Sequence, residues 1–171
     1  MMTAIGRKIR HIAANAGAAT ALAVLIGGAP AVHAQDWKAV GQFGWIGVGK
    51  AYELEKGHYY WVGEFSGTFF NDKGDGSLFH FAGLKCPAFN DLNFVTGVGK
   101  SGGYCIAADA DGDQAYITWQ LSGAPKRSTG SFTYTGGTGK YKDIKGTFPF
   151  TGVTQVNWAD GTASGYAIWN R

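Results

Sequence analysis

Beyond its N-terminal segment the chain alternates apolar residues with polar or small ones at a period of two, and this pattern limits the fold more than any other feature. In the segment 114–121, Ala115, Ile117, Trp119 and Leu121 fall on one side, and Tyr, Thr and Gln fall on the other. Successive side chains of a β-strand point to opposite faces, so this spacing is typical of a half-buried strand. No comparable helical spacing occurs in this part of the sequence, which therefore predicts an all-β domain.

Turn signals rich in Gly, Asn and Asp separate the apolar runs. The turn signals lie at 71–76, 101–103, 111–112, 136–139 and 160–161. The candidate strands lie near 37–48, 49–55, 58–70, 77–84, 103–109, 114–121, 129–135, 146–158 and 163–169. Eight or nine short strands at regular spacing favour a closed barrel or a sandwich.

The first 34 residues have the pattern of a cleavable secretory signal peptide. A basic segment at 7–10 precedes an Ala/Leu/Val-rich stretch at 12–31. Small residues at Val32 and Ala34 predict cleavage before Gln35. A membrane anchor is the less favoured alternative because polar residues, Gly and Pro interrupt the apolar stretch. We therefore expect a periplasmic or secreted protein.

The mature chain, 35–171, is expected to form one barrel domain of neutral net charge. Three of the 15 basic residues lie in the predicted signal peptide, whereas all 12 acidic residues follow it. A neutral chain lacks the basic surface that nucleic acids or anionic membranes attract. We therefore predict no nucleic-acid partner, and no integral membrane segment in the mature chain.

Cys86 and Cys105 are the two cysteines of the chain. Export would place them where thiols become oxidised, so a single disulfide is the expected state. Closing a loop of about 20 residues stabilises a fold by roughly 3 kcal/mol in the chain-entropy model. Metal ligation by this pair is disfavoured, because no His or Cys lies nearby at the spacing of a zinc site.

A glycine-rich segment at 136–141, Gly-Gly-Thr-Gly-Lys-Tyr, precedes the last predicted hairpin. This segment resembles the corresponding turn of the allene oxide cyclase and dirigent β-barrel superfamily, in which it leads through a glycine into the last hairpin of an eight-stranded antiparallel barrel. The resemblance is clear toward the C-terminus and limited to the general strand pattern before Gly123. It implies that this chain forms a small, calycin-like, eight-stranded antiparallel barrel. The role carried over is structural, and the matching positions are Gly136, Gly137, Gly139, Tyr141 and Gly146.

The resemblance also implies what kind of activity to expect. Known activities of the superfamily are the cyclisation of a fatty-acid epoxide and the stereochemical guidance of phenoxy-radical coupling, each inside an apolar lumen. Neither needs a cofactor, so we expect none here. The catalytic residues of those families have no match in this chain. Relatives often form dimers or trimers, which suggests a homo-oligomer.

Aromatic residues on the predicted strands are the candidate ligand-binding residues. Large rings interleaved with glycines can line a cavity, although they can equally fill the core of a small barrel. The candidates are Tyr59, Trp61, Tyr116, Trp119 and Tyr166.

Glu64 and Tyr166 are the candidate catalytic residues. If the strand face of Glu64 lines the lumen, burial would raise the pKa of its carboxyl group and suit it to acid–base chemistry. If that face is the outer one, Glu64 is a solvated strand residue. His58 and His80 belong to no recognisable catalytic motif.

Three alternating carboxylates, Asp109, Asp111 and Asp113, have some likeness to a calcium loop. The pattern departs from an EF-hand because Gly112 takes the fourth place, and because Gln120 stands where a bidentate Glu belongs. We interpret the segment as an acidic turn and predict no metal site.

Three functions remain open at this point. The first is an exported barrel that binds a small apolar or aromatic molecule in its lumen. The second is a cofactor-free cyclase or isomerase, or a dirigent-type stereochemical guide. The third is an outer-membrane barrel, which the short chain and the scarcity of long apolar outward stripes disfavour. No motif decides between binding and catalysis.

Overall fold

The computed structural model describes residues 36–171, so the predicted signal peptide lies outside the described residues. Eight antiparallel strands follow one another around a closed barrel, in which the last strand pairs with the first. The strands are β1 Gly41–Glu55, β2 His58–Asn71, β3 Gly83–Asn93, β4 Val98–Ala108, β5 Gln114–Ala124, β6 Arg127–Gly137, β7 Gly146–Asn157 and β8 Ala163–Trp169. The predicted eight-stranded antiparallel barrel is confirmed. No helix in the described residues has the length and apolar character to cross a membrane.

Three of the predicted strand segments are wrong. The segments 37–48 and 49–55 do not form separate strands, because β1 runs without a break from Gly41 to Glu55. The segment 77–84 is mostly a loop that precedes β3. Phe79 in this loop has a φ of 60°, which turns the backbone out of the sheet, and its side chain is buried. Burial at the end of the barrel, and not strand pairing, accounts for the apolar character of that segment.

The predicted turn at 101–103 is also wrong, because these residues lie in the middle of β4. The absence of a side chain on these glycines allows groups of the neighbouring strand to approach them closely. A Cβ atom on Gly103 would lie 2.3 Å from the carbonyl oxygen of Pro87, and one on Gly102 would lie 3.2 Å from the ring of Phe89. Glycine is tolerated within a strand where another group must come this close.

One end of the barrel is closed by a plug, which consists of the segment around Trp37, the loop 72–82 and the 3-10 turn Gly139–Tyr141. The ring of Tyr141 is buried and stacks on Phe79, with 4.9 Å between the ring centroids. The Trp37 ring lies 6.4 Å from Tyr141. Aromatic packing of this kind removes the end of the core from water.

The acidic turn between β4 and β5 holds the plug in place. Lys140 Nζ lies 2.7 Å from carboxylate oxygens of both Asp109 and Asp111, and the backbone N–H of Lys140 donates to Asp113 Oδ2. Burial acts to raise the pKa of Asp109, but contacts with Lys140 and Tyr141 outweigh it and lower that pKa. Among the described residues, no three or more His, Cys, Asp or Glu side chains are grouped so as to hold a metal ion.

We expect replacement of Gly139 with alanine to lower the free energy of unfolding by about 1–2 kcal/mol. Gly139 has a φ of 48°, and an added Cβ would overlap the carboxylate of Asp113. Gly83→Ala is the matched control, because nothing lies within 4 Å of its added Cβ. Urea denaturation measures the free energy of unfolding of both variants. Equal values for Gly139→Ala and Gly83→Ala would contradict strain at Gly139.

Candidate functional site

The interior of the barrel contains a lumen that extends toward the end opposite the plug. At that end the hairpins join β1 to β2, β3 to β4, β5 to β6 and β7 to β8, and we call it the hairpin end. An inner chamber of about 90 Å³ adjoins an outer chamber of about 260 Å³, whose lining includes hairpin residues such as Phe94 and Thr162. Both chambers are lined by Trp45, Phe65, Asn90, Leu92, Pro125 and Thr154. These shared residues make the two chambers adjoining parts of one lumen.

Seven of the residues that line the inner chamber are aromatic. Phe65 on β2 is central, with Trp61 stacked on it at 4.9 Å and Trp45 edge-on at 4.8 Å between ring centroids. Trp119 on β5 lies 6.2 Å from Phe65 and 6.1 Å from Phe150 of β7. Strands from different sides of the barrel thus contribute rings to a single apolar wall.

The floor of the lumen is a packed aromatic layer. The rings of Phe132 and Trp169 lie 4.4 Å apart, and Trp169 lies 4.6 Å from Phe69. All three side chains are buried, with Phe132 only 1% exposed. The lumen therefore ends above this layer and does not continue into the plug.

The predicted disulfide is confirmed, and it forms part of the chamber wall. Cys86 on β3 and Cys105 on β4 are bonded with an S–S distance of 2.04 Å, and both residues are buried. Both also line the inner chamber. The bridge therefore joins two adjacent strands on the lumen side.

Charged groups are scarce in the lumen. Within the described part of the chain, Lys126 supplies the one formal charge among the residues that line the two chambers. Trp119 Nε1–H is shielded from solvent and has no acceptor among the described residues. A buried donor left without a partner costs about 1–3 kcal/mol.

Three of the candidate ligand-binding residues lie on the inner face. Trp119 lines the inner chamber, and Tyr59 and Trp61 line the outer one. The ring of Tyr59 lies edge-on to Phe94 at 6.1 Å. A hydrogen bond with Glu53 is the main reason that the pKa of Tyr59 is raised above its usual value.

Two other candidates, Tyr116 and Tyr166, lie on the outer face of the barrel. Tyr116 is partly exposed and lies between the buried residues Ala115 and Ile117 of β5. Tyr166 precedes Ala167, which lines the inner chamber. Because neighbouring residues of a strand face opposite ways, a molecule held in the lumen would contact neither tyrosine ring.

Glu64 takes the outward of its two alternative positions. It lies on the face of Val62, opposite the inward face of Phe65, and its side chain is 42% exposed. Its carboxylate accepts a hydrogen bond from Ser66 and lies 3.9 Å from Lys85 Nζ. Glu64 is therefore a solvated strand residue on the outside of the barrel.

The glycine-rich turn that carries the family resemblance lies at the plugged end, away from the lumen. Gly139 and Gly146 have φ values of 48° and 124°, and Tyr141 of the same motif is buried in the plug. Comparison of the chain with models of protein families, with curated proteins and with solved structures finds no match. The motif accounts for how the barrel end is closed, whereas the chemistry of the lumen depends on other residues.

Several lumen residues were not among the candidates. Phe65 shares the strand face of Trp61, and this shared face was a usable signal. Asn90 and Ser101 were missed for a different reason. Pro87 and neighbouring polar residues obscure the strand pattern of β3, and the glycines after Ser101 resemble a turn.

Proposed function

We propose that this protein is an exported barrel that binds a small apolar or aromatic molecule in its lumen. The observation that carries the proposal is a chamber walled by Trp45, Phe65 and Trp119, closed below by an aromatic floor and extending to the hairpin end. Ligand sites are typically concave and apolar, with a small number of polar groups that orient the ligand. Transfer of apolar surface from water into such a chamber is favourable.

The residues that line the lumen favour binding over acid–base chemistry. In the described part of the chain, none of the residues lining either chamber is Asp, Glu or His. These are the side chains that most often transfer protons in enzymes. Lys126, which is exposed, lies at the turn between β5 and β6, so its charge favours neutral or anionic ligands over cationic ones.

Export is part of the same proposal. The predicted signal peptide supports it, and so does the disulfide between Cys86 and Cys105, since such bonds persist in oxidising compartments. Native mass spectrometry of the protein recovered from exporting cells is the direct test. We expect a reproducible adduct of small-molecule mass, and a spectrum of protein alone would count against a stably bound ligand.

Shape-guided conversion of the bound molecule is the second candidate function. The glycine-rich turn at 136–141 supports a relationship with the allene oxide cyclase and dirigent superfamily, in which a barrel lumen acts without a cofactor. Re-addition of the molecule released from the protein separates the two functions. Recovery of an altered molecule would favour conversion, and recovery of the same molecule would favour binding alone.

Filling the inner chamber is expected to prevent binding. Ser101 lies on the lumen side of β4, and a phenylalanine there would occupy much of a chamber of about 90 Å³. Using the neutral fluorescent probe N-phenyl-1-naphthylamine, we expect Ser101→Phe to weaken binding at least about tenfold, which corresponds to about 1.4 kcal/mol. Fluorescence titration measures the dissociation constant.

The matched control is Ser131→Phe, which makes the same change on the outer face of β6. Ser131 is half-buried, like Ser101, but precedes the inward-facing Phe132. We expect Ser131→Phe to bind the probe as the wild type does. Equal binding by Ser101→Phe, in a variant that still unfolds cooperatively, would show that the probe does not occupy the lumen.

A further inference from the structure

Asn90 on β3 and Ser101 on β4 bring two polar side chains together on the wall of the lumen. The two residues are directly opposed in the register between these strands. Both line the inner chamber, and Asn90 also lines the outer one. Directly opposed residues share one face of a sheet, with Cβ atoms about 4.5–5.5 Å apart. Asn90 and Ser101 therefore form a polar pair where the two chambers adjoin.

The position of the disulfide shows that this pair faces the lumen. Cys86 and Cys105 bridge the same two strands, and both are buried. Asn90 follows Cys86 by an even number of residues, and Ser101 precedes Cys105 by an even number. Alternate residues of a strand share a face, so the polar side chains point to the same side as the buried bridge.

The hydrogen-bonding groups of the pair are free and can be reached from the chamber. Within the described residues, no hydrogen bond joins the side chain of Asn90 or Ser101 to another residue, and neither side chain has a polar atom that is both shielded from solvent and without a partner. Their unpaired polar atoms are therefore accessible. Asn93 on the same strand differs, because its Oδ1 accepts hydrogen bonds from the backbone N–H groups of Val95 and Thr96.

We infer that Asn90 and Ser101 are a polar subsite of the lumen, and that the ligand presents to them a neutral group that both donates and accepts hydrogen bonds, such as a carboxamide. This inference rests on the proposed binding function. The rest of the ligand is apolar or aromatic and packs against the rings of the inner chamber. The subsite thus distinguishes amides from ketones and hydrocarbons of the same shape.

The amide of Asn90 determines what the ligand must offer. It contributes one acceptor and two donors, and rotation of the amide group exchanges their positions without changing their number. A ligand that displaces water must supply a donor for Oδ1, because an acceptor left unpaired is costly. A ketone or a carboxylate has no hydrogen to donate.

The charges around the lumen indicate that this donor is neutral. A cationic donor would meet Lys126 and, among the described residues that line the chambers, no acidic side chain. A buried cation without a counter-ion is strongly disfavoured. A carboxamide carries no charge, and its N–H and C=O groups can pair with the amide of Asn90 at the same time.

Two probes of the same shape test this inference. 2-Naphthamide has an NH₂ group where 2-acetylnaphthalene has a methyl group, so the ketone keeps the acceptor and lacks the donor. Each probe is titrated into wild-type protein and Asn90→Leu, which removes the polar groups and keeps a side chain of similar size. We expect the substitution to raise the dissociation constant of the amide about tenfold more than that of the ketone. The ratio of the two changes cancels the different hydration of the probes.

Asn93→Leu is the matched control, because it makes the same change on the same strand at a residue that lines neither of the two chambers. It removes an acceptor of two backbone hydrogen bonds. We expect it to lower the urea concentration at the midpoint of unfolding and to leave the ratio of the two probe affinities unchanged. Asn90→Leu should leave that midpoint unchanged or raise it, because an unpaired polar group is replaced by an apolar one on an apolar wall.

The outcomes separate the subsite from the binding function. If N-phenyl-1-naphthylamine binds and Ser101→Phe blocks it, but Asn90→Leu weakens amide and ketone equally, the subsite is wrong while the binding function stands. A loss of stability in Asn90→Leu as large as that in Asn93→Leu would assign Asn90 a structural role and would also overturn the inference. If none of the three probes binds to wild-type protein, the binding function fails, and the subsite fails with it.

Discussion

Replacing Phe132 with alanine is expected to lower the free energy of unfolding by about 3–5 kcal/mol, the range found when a buried aromatic ring is truncated. The ring is 1% exposed and is surrounded by other rings. Its centroid lies 4.4 Å from Trp169 and 5.5 Å from Tyr134. It also lies 5.7 Å from Phe148 and 6.0 Å from Phe150. Rings in a closed barrel cannot easily collapse into the space left by the truncation, so the cavity term adds to the lost burial.

Urea denaturation measures this loss, and Tyr104→Ala is the matched control. Tyr104 is also an aromatic strand residue, but it lies on the outer face and is 66% exposed. We expect its replacement to change the free energy of unfolding by no more than about 1 kcal/mol, the span of strand preferences. If Phe132→Ala lowers the free energy of unfolding no more than Tyr104→Ala does, the tight packing of the lumen floor is contradicted.

Opening the disulfide is expected to lower the free energy of unfolding by about 3 kcal/mol in the chain-entropy model. Cys86 and Cys105 are 19 residues apart in sequence, and the bond limits the freedom of the unfolded chain between them. A barrel of this length has enough core to remain folded without the bond. Reduction should therefore destabilise the protein without abolishing the barrel.

The double variant Cys86→Ala/Cys105→Ala isolates the effect of the bond. Unfolding curves of the wild type are compared with and without dithiothreitol, and the same comparison is made for the variant. We expect the reductant to lower the stability of the wild type only. If it lowers both equally, its effect does not come from the bridge. Because both cysteines line the inner chamber, reduction should also alter the affinity for N-phenyl-1-naphthylamine.

Local signals were enough to place most of the strands. The alternation in 114–121 identified β5, and Asp-Gly turns identified the connections at 111–112 and 160–161, where the structure has Gly112 and Gly161 at φ values of 85° and 86°. These features depend on neighbours in sequence, because strand alternation and positive φ are properties of short segments.

The wrong predictions came from residues whose role depends on distant parts of the chain. Gly102 and Gly103 have the composition of a turn, but they lie within β4 because the backbone of β3 and the ring of Phe89 approach them closely. Phe79 was assigned to a strand, yet it is buried in the plug against Tyr141. Composition shows that a position holds a glycine or a large apolar residue. It does not show which distant part of the chain requires the glycine or buries the side chain.

The candidate site shows the same division. Trp61 and Trp119 line the lumen, whereas Tyr116, Tyr166 and Glu64 lie on the outside. Period-two alternation sorts residues into two faces but does not say which face is inside. The two faces are hard to tell apart from sequence here, because large apolar side chains also occur on the outer face. Only the closed barrel shows that those side chains are exposed.

By itself, the sequence determined that the chain builds short antiparallel strands with tight turns and that its two cysteines form one disulfide. Both follow from short-range stereochemistry and from composition. Only the tertiary structure decided which strand faces enclose the lumen, that one end is plugged, and that the indole N–H of Trp119 is left without an acceptor. These properties arise when the last strand pairs with the first. Closure of the barrel brings rings from β1, β2, β5 and β7 around one space, and no local pattern encodes that meeting.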